Sequence, residues 1–450
     1  MIRELMHVPL TPPSLDELLA EIRPERIARV ISQPLGTGVP GDDGYLHWDK
    51  LLHLSAPEGL THREWWLRLK LTRGAGRRSV PLLDTEGSAF WFTLPDITLE
   101  SLHKIDQEAS GRIGIADSVT NPATRDRYVI TSLMEEAITS SQLEGASTSR
   151  RVAKEMLRTG RQPRDRSEQM IVNNFRAMQY VTAHRDQPLT PKFVFEVHRL
   201  VTDGTLDNPT AAGRLQHPNE EQVKVWGDGD QLLHTPPPAE ELPKRLRALC
   251  DFANEGGQDA WIHPVVRSVI LHFWLGYDHY FEDGNGRTAR AIFYWSMLRQ
   301  GYWLAEFLTI STILRKAPTT YAQSFLLTET DDNDLTYFIR YHLEVLRRAL
   351  CDLQDYLERK IREVQEVEAL VRGDSGLNHR QRALLGDALR DPHAHYTIEG
   401  HRRSHNVVYQ TARTDLLDLF DRGLLEKRRE SKAFVFVPPS DLSERLRALA

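Results

Sequence analysis

The segment HYFEDGNGRTAR, residues 279–290, gathers one histidine, two acids, an asparagine between two glycines, and two arginines. Each polar group there is costly to bury unpaired, so their clustering reads as a site. Placed between two helices, Gly284, Asn285 and Gly286 form the loop that feeds a helix N-terminus. Such a terminus presents unpaired backbone N–H groups and a partial positive charge, which suits an anion. Glycine on both sides lets the backbone approach a phosphate closely. Arg287 and Arg290, at i and i+3, are neighbours on the helix and can reach successive phosphates. Asp283 supplies a hard oxygen ligand for Mg²⁺ between phosphates. His279, at the exit of the preceding helix, has the pKa range of a general base. Phe281 is apolar among polar neighbours and is expected to point inward and fix the loop. Together these are the needs of nucleotidyl or phosphoryl transfer. The Walker and protein-kinase signatures are absent.

Helices must position this loop. HPVVRSVILHFWLGYDHY is an apolar helix starting near Pro264, and RTARAIFYWSMLRQG continues as the next one. RDRYVITSLMEEAITSSQLEG sets Val129, Leu133, Ala137 and Ile138 on one face and stops at Gly145. EQMIVNNFRAMQYVTAH and TPKFVFEVHRLVT are two further amphipathic segments. VKVWGDGDQLLHT, 223–235, alternates and turns at GDGD, as a hairpin does. TPPPAEELP, just beyond it, reads as a stop followed by a helix start.

The stretch 279–290 resembles the signature His-x-Phe-x-Asp/Glu-Gly-Asn-Gly-Arg-x-x-Arg of the Fic (Fido) family, with every fixed position matched and Tyr280 where proline is common. The resemblance extends from WIHPVVRSVILHFWLGYDHY to YAQSFLLTETDDNDLTYFIRYHL, and it implies AMPylation: transfer of AMP from ATP to a Ser, Thr or Tyr hydroxyl of a target protein. By similarity, His279 deprotonates that hydroxyl and Asp283 holds Mg²⁺. Asn285 cradles phosphates with the Gly284 and Gly286 backbone, Arg287 binds the β-phosphate and Arg290 the γ-phosphate. SSQLEG, 140–145, is similar to the family's inhibitory pattern Ser/Thr-x-x-x-Glu-Asn/Gly through Ser140, Glu144 and Gly145. Glu144 would then pair with Arg290 and leave ATP unproductively bound. A flap of Val223, Lys224, Val225 and Trp226 would align the target by strand addition.

The expected architecture is mainly α: a Fic-type helical core with a β-hairpin flap, a small mixed N-terminal region and a C-terminal winged helix-turn-helix. The boundaries are 1–115, 125–345, a long linking helix at 346–375, and 376–450. In the first region RRSVPLLDTEGSAFWFTLP forms a hairpin, and Trp48, Trp65, Trp66, Trp91 and Phe92 supply a core. The stripe Leu346, Leu350, Leu353, Leu357, Ile361 and Val364 suits either a coiled-coil homodimer or a helix laid back on its own domain. GDSGLN reads as a linker. Three helices and the alternating LLEKRRESKAFVFVP then give the winged helix.

The chain has 450 residues, with 40% hydrophobic and 27% charged content and a formal charge of -6. That excludes a uniformly basic nucleic-acid coat. Cys250 and Cys351 are the two cysteines, too few for a disulfide framework and in keeping with the cytoplasm. The N-terminal stretch lacks a signal-peptide pattern, and the longest apolar run, broken by Arg267 and His272, is too short to span a membrane. Two other functions fit the same residues: an enzyme that removes AMP or works in both directions, and a DNA-binding regulator with the Fic core as nucleotide sensor. Residues 377–450 hold 13 Lys/Arg against 10 Asp/Glu, mildly basic for a DNA partner. Asp415, Asp418 and Asp421 on the candidate recognition helix argue against one.

Overall fold

The computed structural model of the chain describes residues 7–32, 45–109, 122–227, 230–255, 261–373, 376–390, 394–430, 433–439 and 441–449. It is mostly helical, with short two-stranded antiparallel sheets. Two compact units divide between Leu353 and Gln354.

The first unit opens with α1 (Leu15–Glu21), α2 (Pro24–Ser32), α3 (Trp48–Leu51) and α4 (His62–Ala75). A hairpin of β1 (Arg78–Leu83) and β2 (Ala89–Phe92) and then α5 (Asp96–Ala109) follow. The helical body comprises α6 (Pro122–Leu143), α7 (Arg150–Thr159), α8 (Arg166–Ala183) and α9 (Pro191–Thr202). Next come the short strands β3 (Val225–Trp226) and β4 (Leu232–His234) and then α10 (Leu242–Ala253). Last are α11 (Pro264–Asp278), α12 (Asn285–Arg299), α13 (Ile310–Lys316), α14 (Pro318–Thr330) and the start of α15 (Thr336–Gly373), which runs past the boundary at Leu353.

At the centre lie α11 and α12. In each, 13 of 15 residues are buried, so neither has a polar face and both need cover on every side. That requirement reshapes the expected N-terminal region. The β1–β2 hairpin is not a separate core: Val80, Leu82, Phe90 and Phe92 join the central cluster. Phe90 packs edge-on against Tyr277, with ring centroids 4.9 Å apart. Trp48, Trp65 and Trp66 form their own cluster with Leu18 and Val30. Trp91 leaves both groups and pairs its backbone with Asn333 and Leu335.

The long helix starts at Thr336, and its first turns serve the central core. Leu346 and Leu350 are buried there and Leu353 packs against it. That part of the stripe is laid on its own domain, not free as a dimer seam. The side chains of Ile361 and Val364 lie outside the described residues.

The second unit holds α16 (His379–Arg390), α17 (Ile398–His405), α18 (Tyr409–Asp421), β5 (Glu426–Glu430), β6 (Ala433–Val437) and α19 (Leu442–Leu449). Leu384, Leu385, Leu416, Leu419, Leu425, Phe436 and Leu446 form its core. Tyr396, between α16 and α17, exchanges two 2.8 Å backbone hydrogen bonds with Phe436 of β6. The unit thus consists of three helices, a bridge back to β6, a terminal hairpin and a last helix. The bridge and α19 escaped the sequence reading, since one residue has no period. No helix among the described residues is long and apolar enough to cross a membrane.

Candidate functional site

The site begins where α11 ends. His279 caps that helix in the left-handed region, φ 48° and ψ 55°, an uncommon setting for a non-glycine residue. The turn is anchored by buried Asp278, which accepts from Trp274 Nε1 at 2.8 Å, Tyr280 Oη at 2.6 Å and Arg245 Nη1 at 3.1 Å. Burial pushes the Asp278 carboxyl up to about 6, against the pull of Arg245. The His279 ring sets Nδ1 3.2 Å from the Gly276 carbonyl. A carbonyl only accepts, so Nδ1 donates and Nε2 carries the lone pair. Burial lowers the His279 pKa, opposed by that carbonyl, so the ring is neutral near pH 7.

Three contacts hold the loop itself. Phe281 is buried and stacks on His198 at 3.7 Å, pointing inward as its sequence context implied. Asn285 turns back: its Oδ1 accepts from Phe281 N at 3.0 Å and its Nδ2 donates to Phe281 O at 2.7 Å. The Asn285 side chain is therefore committed to the loop, and what it can offer an anion is its backbone N–H. The side-chain amide closes the turn. Gly284 starts α12 with φ 83°, and a Cβ there would lie 2.7 Å from Thr202 Cγ2.

Asp283 is half-exposed, with Oδ1 accepting from Gly284 N at 2.5 Å. Arg287 Nη2 lies 3.5 Å from that oxygen, and Arg166 Nη2 lies 3.8 Å from Oδ2. Arg287, 1% exposed, donates from Nη1 to Val201 O at 2.8 Å, while its Nε is buried without a partner.

Arg290 is also 1% exposed. Its Nε donates to Ser140 Oγ at 2.8 Å, and Nη2 donates to Ser140 O at 3.1 Å and Glu144 Oε1 at 2.8 Å. Burial works against its charge, but Glu144 outweighs that and the pKa is raised. Ser140, in the last turn of α6, and Glu144, the first residue beyond that helix, are four residues apart and both face Arg290. Gly145 ends that helix with φ 93°, and Ala146 N donates back to Ser141 O at 3.0 Å. Gly286 admits the carboxylate: a Cβ there would overlap Glu144 Oε1 and come within 3.0 Å of Arg290 Nη1. Ser140 and Glu144 thus both contact the second arginine of the motif.

The hairpin is shorter than expected. Only Val225 and Trp226 pair with Leu232–His234; Val223 and Lys224 precede the strand, and residues 228–229 of its turn lie outside the described residues.

Several contributors were not legible in the sequence. Gln216 donates from Nε2 to His279 O at 2.8 Å and Phe281 O at 3.1 Å, and its Oε1 accepts from Val223 N at 3.2 Å. It ties the hairpin to the motif loop. His198 bridges Gly213 N at Nδ1, 2.9 Å, and Asp283 O at Nε2, 2.8 Å. The first bond requires the neutral ring, and burial lowers the pKa to about 4. His234 of β4 faces Glu329 Oε2 and Tyr277 O, each at 2.7 Å. Burial opposes its charge, yet Glu329 dominates and raises its pKa. Glu136, fully buried behind Arg290, accepts from Ser311 N at 3.1 Å, and burial raises its pKa. None of these lies in a contiguous pattern; a lone Gln or His carries no spacing signal.

The family model described as Fic/DOC family matches residues 188–297. The chain is 31% identical over 129 residues to the protein adenylyltransferase Fic of Nematostella vectensis, covering 28% of this chain and 27% of that protein. It is 34% identical over 128 residues to the protein of the same name in Drosophila willistoni, covering 28% and 23%. The chain thus spans about a quarter of the length of these curated relatives. The crystal structure of a Fic family protein from Desulfovibrio desulfuricans superposes with a TM-score of 0.51 at 20% identity, covering 76% of this chain and 95% of that one.

Proposed function

With residues 188–297 forming a Fic/DOC domain, we propose that the chain is a protein adenylyltransferase held in check by Glu144. ATP is the donor and a Ser, Thr or Tyr hydroxyl of a protein is the acceptor. One observation carries this reading. Arg287 Nε and Arg290 Nη1 are buried N–H groups without partners, beside the N-terminus of α12. Two guanidiniums with N–H groups to spare at a helix N-terminus suit a polyphosphate.

The chain's own residues account for the chemistry. His279 Nε2 takes the proton of the incoming hydroxyl, while the Gly276 carbonyl fixes the ring through Nδ1. The hydroxyl oxygen bonds the α-phosphorus, the bond to the β-phosphate oxygen breaks, and pyrophosphate leaves. Arg287 and Arg290 hold the β- and γ-phosphates and draw off the developing charge. Asp283 is half-exposed, and its free oxygen edge fits a hard cation whose remaining ligands are water and phosphate. Asp283 would hold Mg²⁺, which supplies charge neutralisation at the phosphates. The edge of β3, with Val223 and Lys224 leading into Val225 and Trp226, would take the target segment as an added strand.

Self-restraint follows from competition. The Glu144 carboxylate bonds the same guanidinium that a γ-phosphate needs, and both cannot have it. A second reading, removal of AMP, has one observation behind it. The charge of Glu144 acts to raise the His279 pKa, so the carboxylate lies within electrostatic reach of the base, where it could align a water. Incubating AMPylated target with the protein separates the two, because only the second reading releases AMP.

The test is transfer from α-labelled ATP to protein in a lysate. Loss of Glu144 exposes the activity, and His279→Ala on that background should lower the rate about 10²- to 10⁴-fold with nucleotide binding retained. Undiminished transfer in the His279 variant would remove the histidine from the mechanism.

A further inference from the structure

The second unit carries a surface that the transfer chemistry does not use. In sequence, α18 is a poor nucleic-acid reader because Asp415, Asp418 and Asp421 lie along it. The fold changes that. Asp415 is 3% exposed and turned inward. It accepts from Arg380 at 2.7 and 3.0 Å, from Asn378 at 2.8 Å and from His401 at 3.1 Å. Asp418 is occupied by Gln381 at 2.7 Å and Arg422 at 3.1 Å. Asp421 stands at the far end of the helix.

What remains outward at the start of α18 is Tyr409, Gln410, Arg413 and Thr414, all exposed. No acid is among them. Arg413 makes no ion pair among the described residues. The wing adds exposed Lys427, Arg428 and Arg429; Arg428 is paired with Glu426 at 2.9 Å, and Lys427 lies over Phe434 at 4.1 Å from the ring centroid. On α17, Arg402 and Arg403 share Glu399.

We propose that this face binds duplex DNA, with the N-terminal half of α18 in the major groove and the wing on the backbone. The N-terminal residues of the second helix of a helix-turn-helix are those that reach base edges. Gln410 and Arg413, at i and i+3, are the side-chain types that pair bidentately with adenine and guanine. Lys427 and Arg429 supply sequence-independent phosphate contacts. Charge complementarity favours DNA, because Asp415 is buried, Asp418 is paired and Asp421 lies at the far end of the helix, which leaves no acid among the outward residues at the start of α18.

The test uses the full chain and a degenerate duplex library in about 50 mM salt, with affinity followed as salt is raised. Binding should fall with salt, and selection should enrich a short motif. Arg413→Ala or Gln410→Ala should cost about tenfold or more on that motif and little on random duplex. Lys427→Ala with Arg429→Ala should weaken both alike and flatten the salt slope. The four side chains are exposed, so a melt matching the parent certifies the fold. Absence of salt-dependent duplex binding overturns the proposal, as does enrichment that Arg413→Ala leaves unchanged; either result would turn this face over to a protein partner. His279→Ala should bind DNA like the parent, so failure here is distinct from failure of the transfer reading.

Discussion

Arg290 and Arg380 each meet a carboxylate brought from a distant segment, Glu144 in one unit and Asp415 in the other. The pairs are built differently. Arg380 grips Asp415 with two nitrogens at 2.7 and 3.0 Å, and Asn378 and His401 occupy the remaining lone pairs. Arg290 touches Glu144 through a single 2.8 Å bond, keeps Nη1 without a partner, and faces a carboxylate that is 31% exposed. The first pair is closed and belongs to the architecture. The second is open at both ends, and an open pair at a helix N-terminus is replaceable by another anion. How completely the partners satisfy each other distinguishes the two pairs better than the distance does.

The sharpest way to break this contrast is to remove each carboxylate. Asp415→Ala removes the acceptor shared by part-buried Arg380 and buried His401 and should destabilise the C-terminal unit by about 1–3 kcal/mol. Denaturant melts followed by probes in each unit would register it. A change under about 1 kcal/mol would make Asp415 an ordinary surface acid.

Acid tests the same division by another route. In the first unit, burial lowers His198 and His47 to about 4 from an ordinary 6.5. A histidine with a depressed folded pKa contributes stability that is complete above 6.5 and is lost as pH falls toward 4. Each is worth about 3 kcal/mol over that window. Asp415 is shifted the other way: burial opposes its charge, but the Arg380, Asn378 and His401 bonds win and lower its pKa. Its contribution persists until pH drops below the ordinary carboxylate range. Lowering pH from 7 to about 5 should therefore loosen the first unit before the second, and coincident acid melting of the two units would contradict this.

The smallest effect on stability belongs to the open pair, whose readout is activity. Glu144→Gly should raise AMP transfer about 10²-fold, the scale of rate lost when a reacting group sits about 1 Å out of line. Arg290→Ala should cancel that gain, making the two changes strongly non-additive. A gain that survives loss of Arg290 would mean that Glu144 acts elsewhere.

Much of the site was legible because its chemistry is contiguous. His279, Asp283, Arg287 and Arg290 lie within one loop and the first turn of one helix, so local sequence brings them together. The stop at Gly145 and the apolar α11 were readable for similar reasons, one from backbone freedom and the other from composition. The N-terminal hairpin was readable as a hairpin but not as a cover for α11, because period-2 alternation says which face is apolar and not what it meets.

By itself, then, the sequence determined the helix ends, the glycine-flanked motif loop and the helix-then-hairpin order of the C-terminal unit, all set by interactions within a few residues. Tertiary structure alone decided which partner each charge has. Glu144 meets Arg290 across 146 residues, Gln216 reaches the motif carbonyls from 63 and 65 residues away, and Asp415 turns into its module to meet Arg380 rather than facing outward on α18. Such contacts leave no spacing in the chain. They arise because each buried donor and acceptor must be satisfied by whatever the packing of helices places beside it.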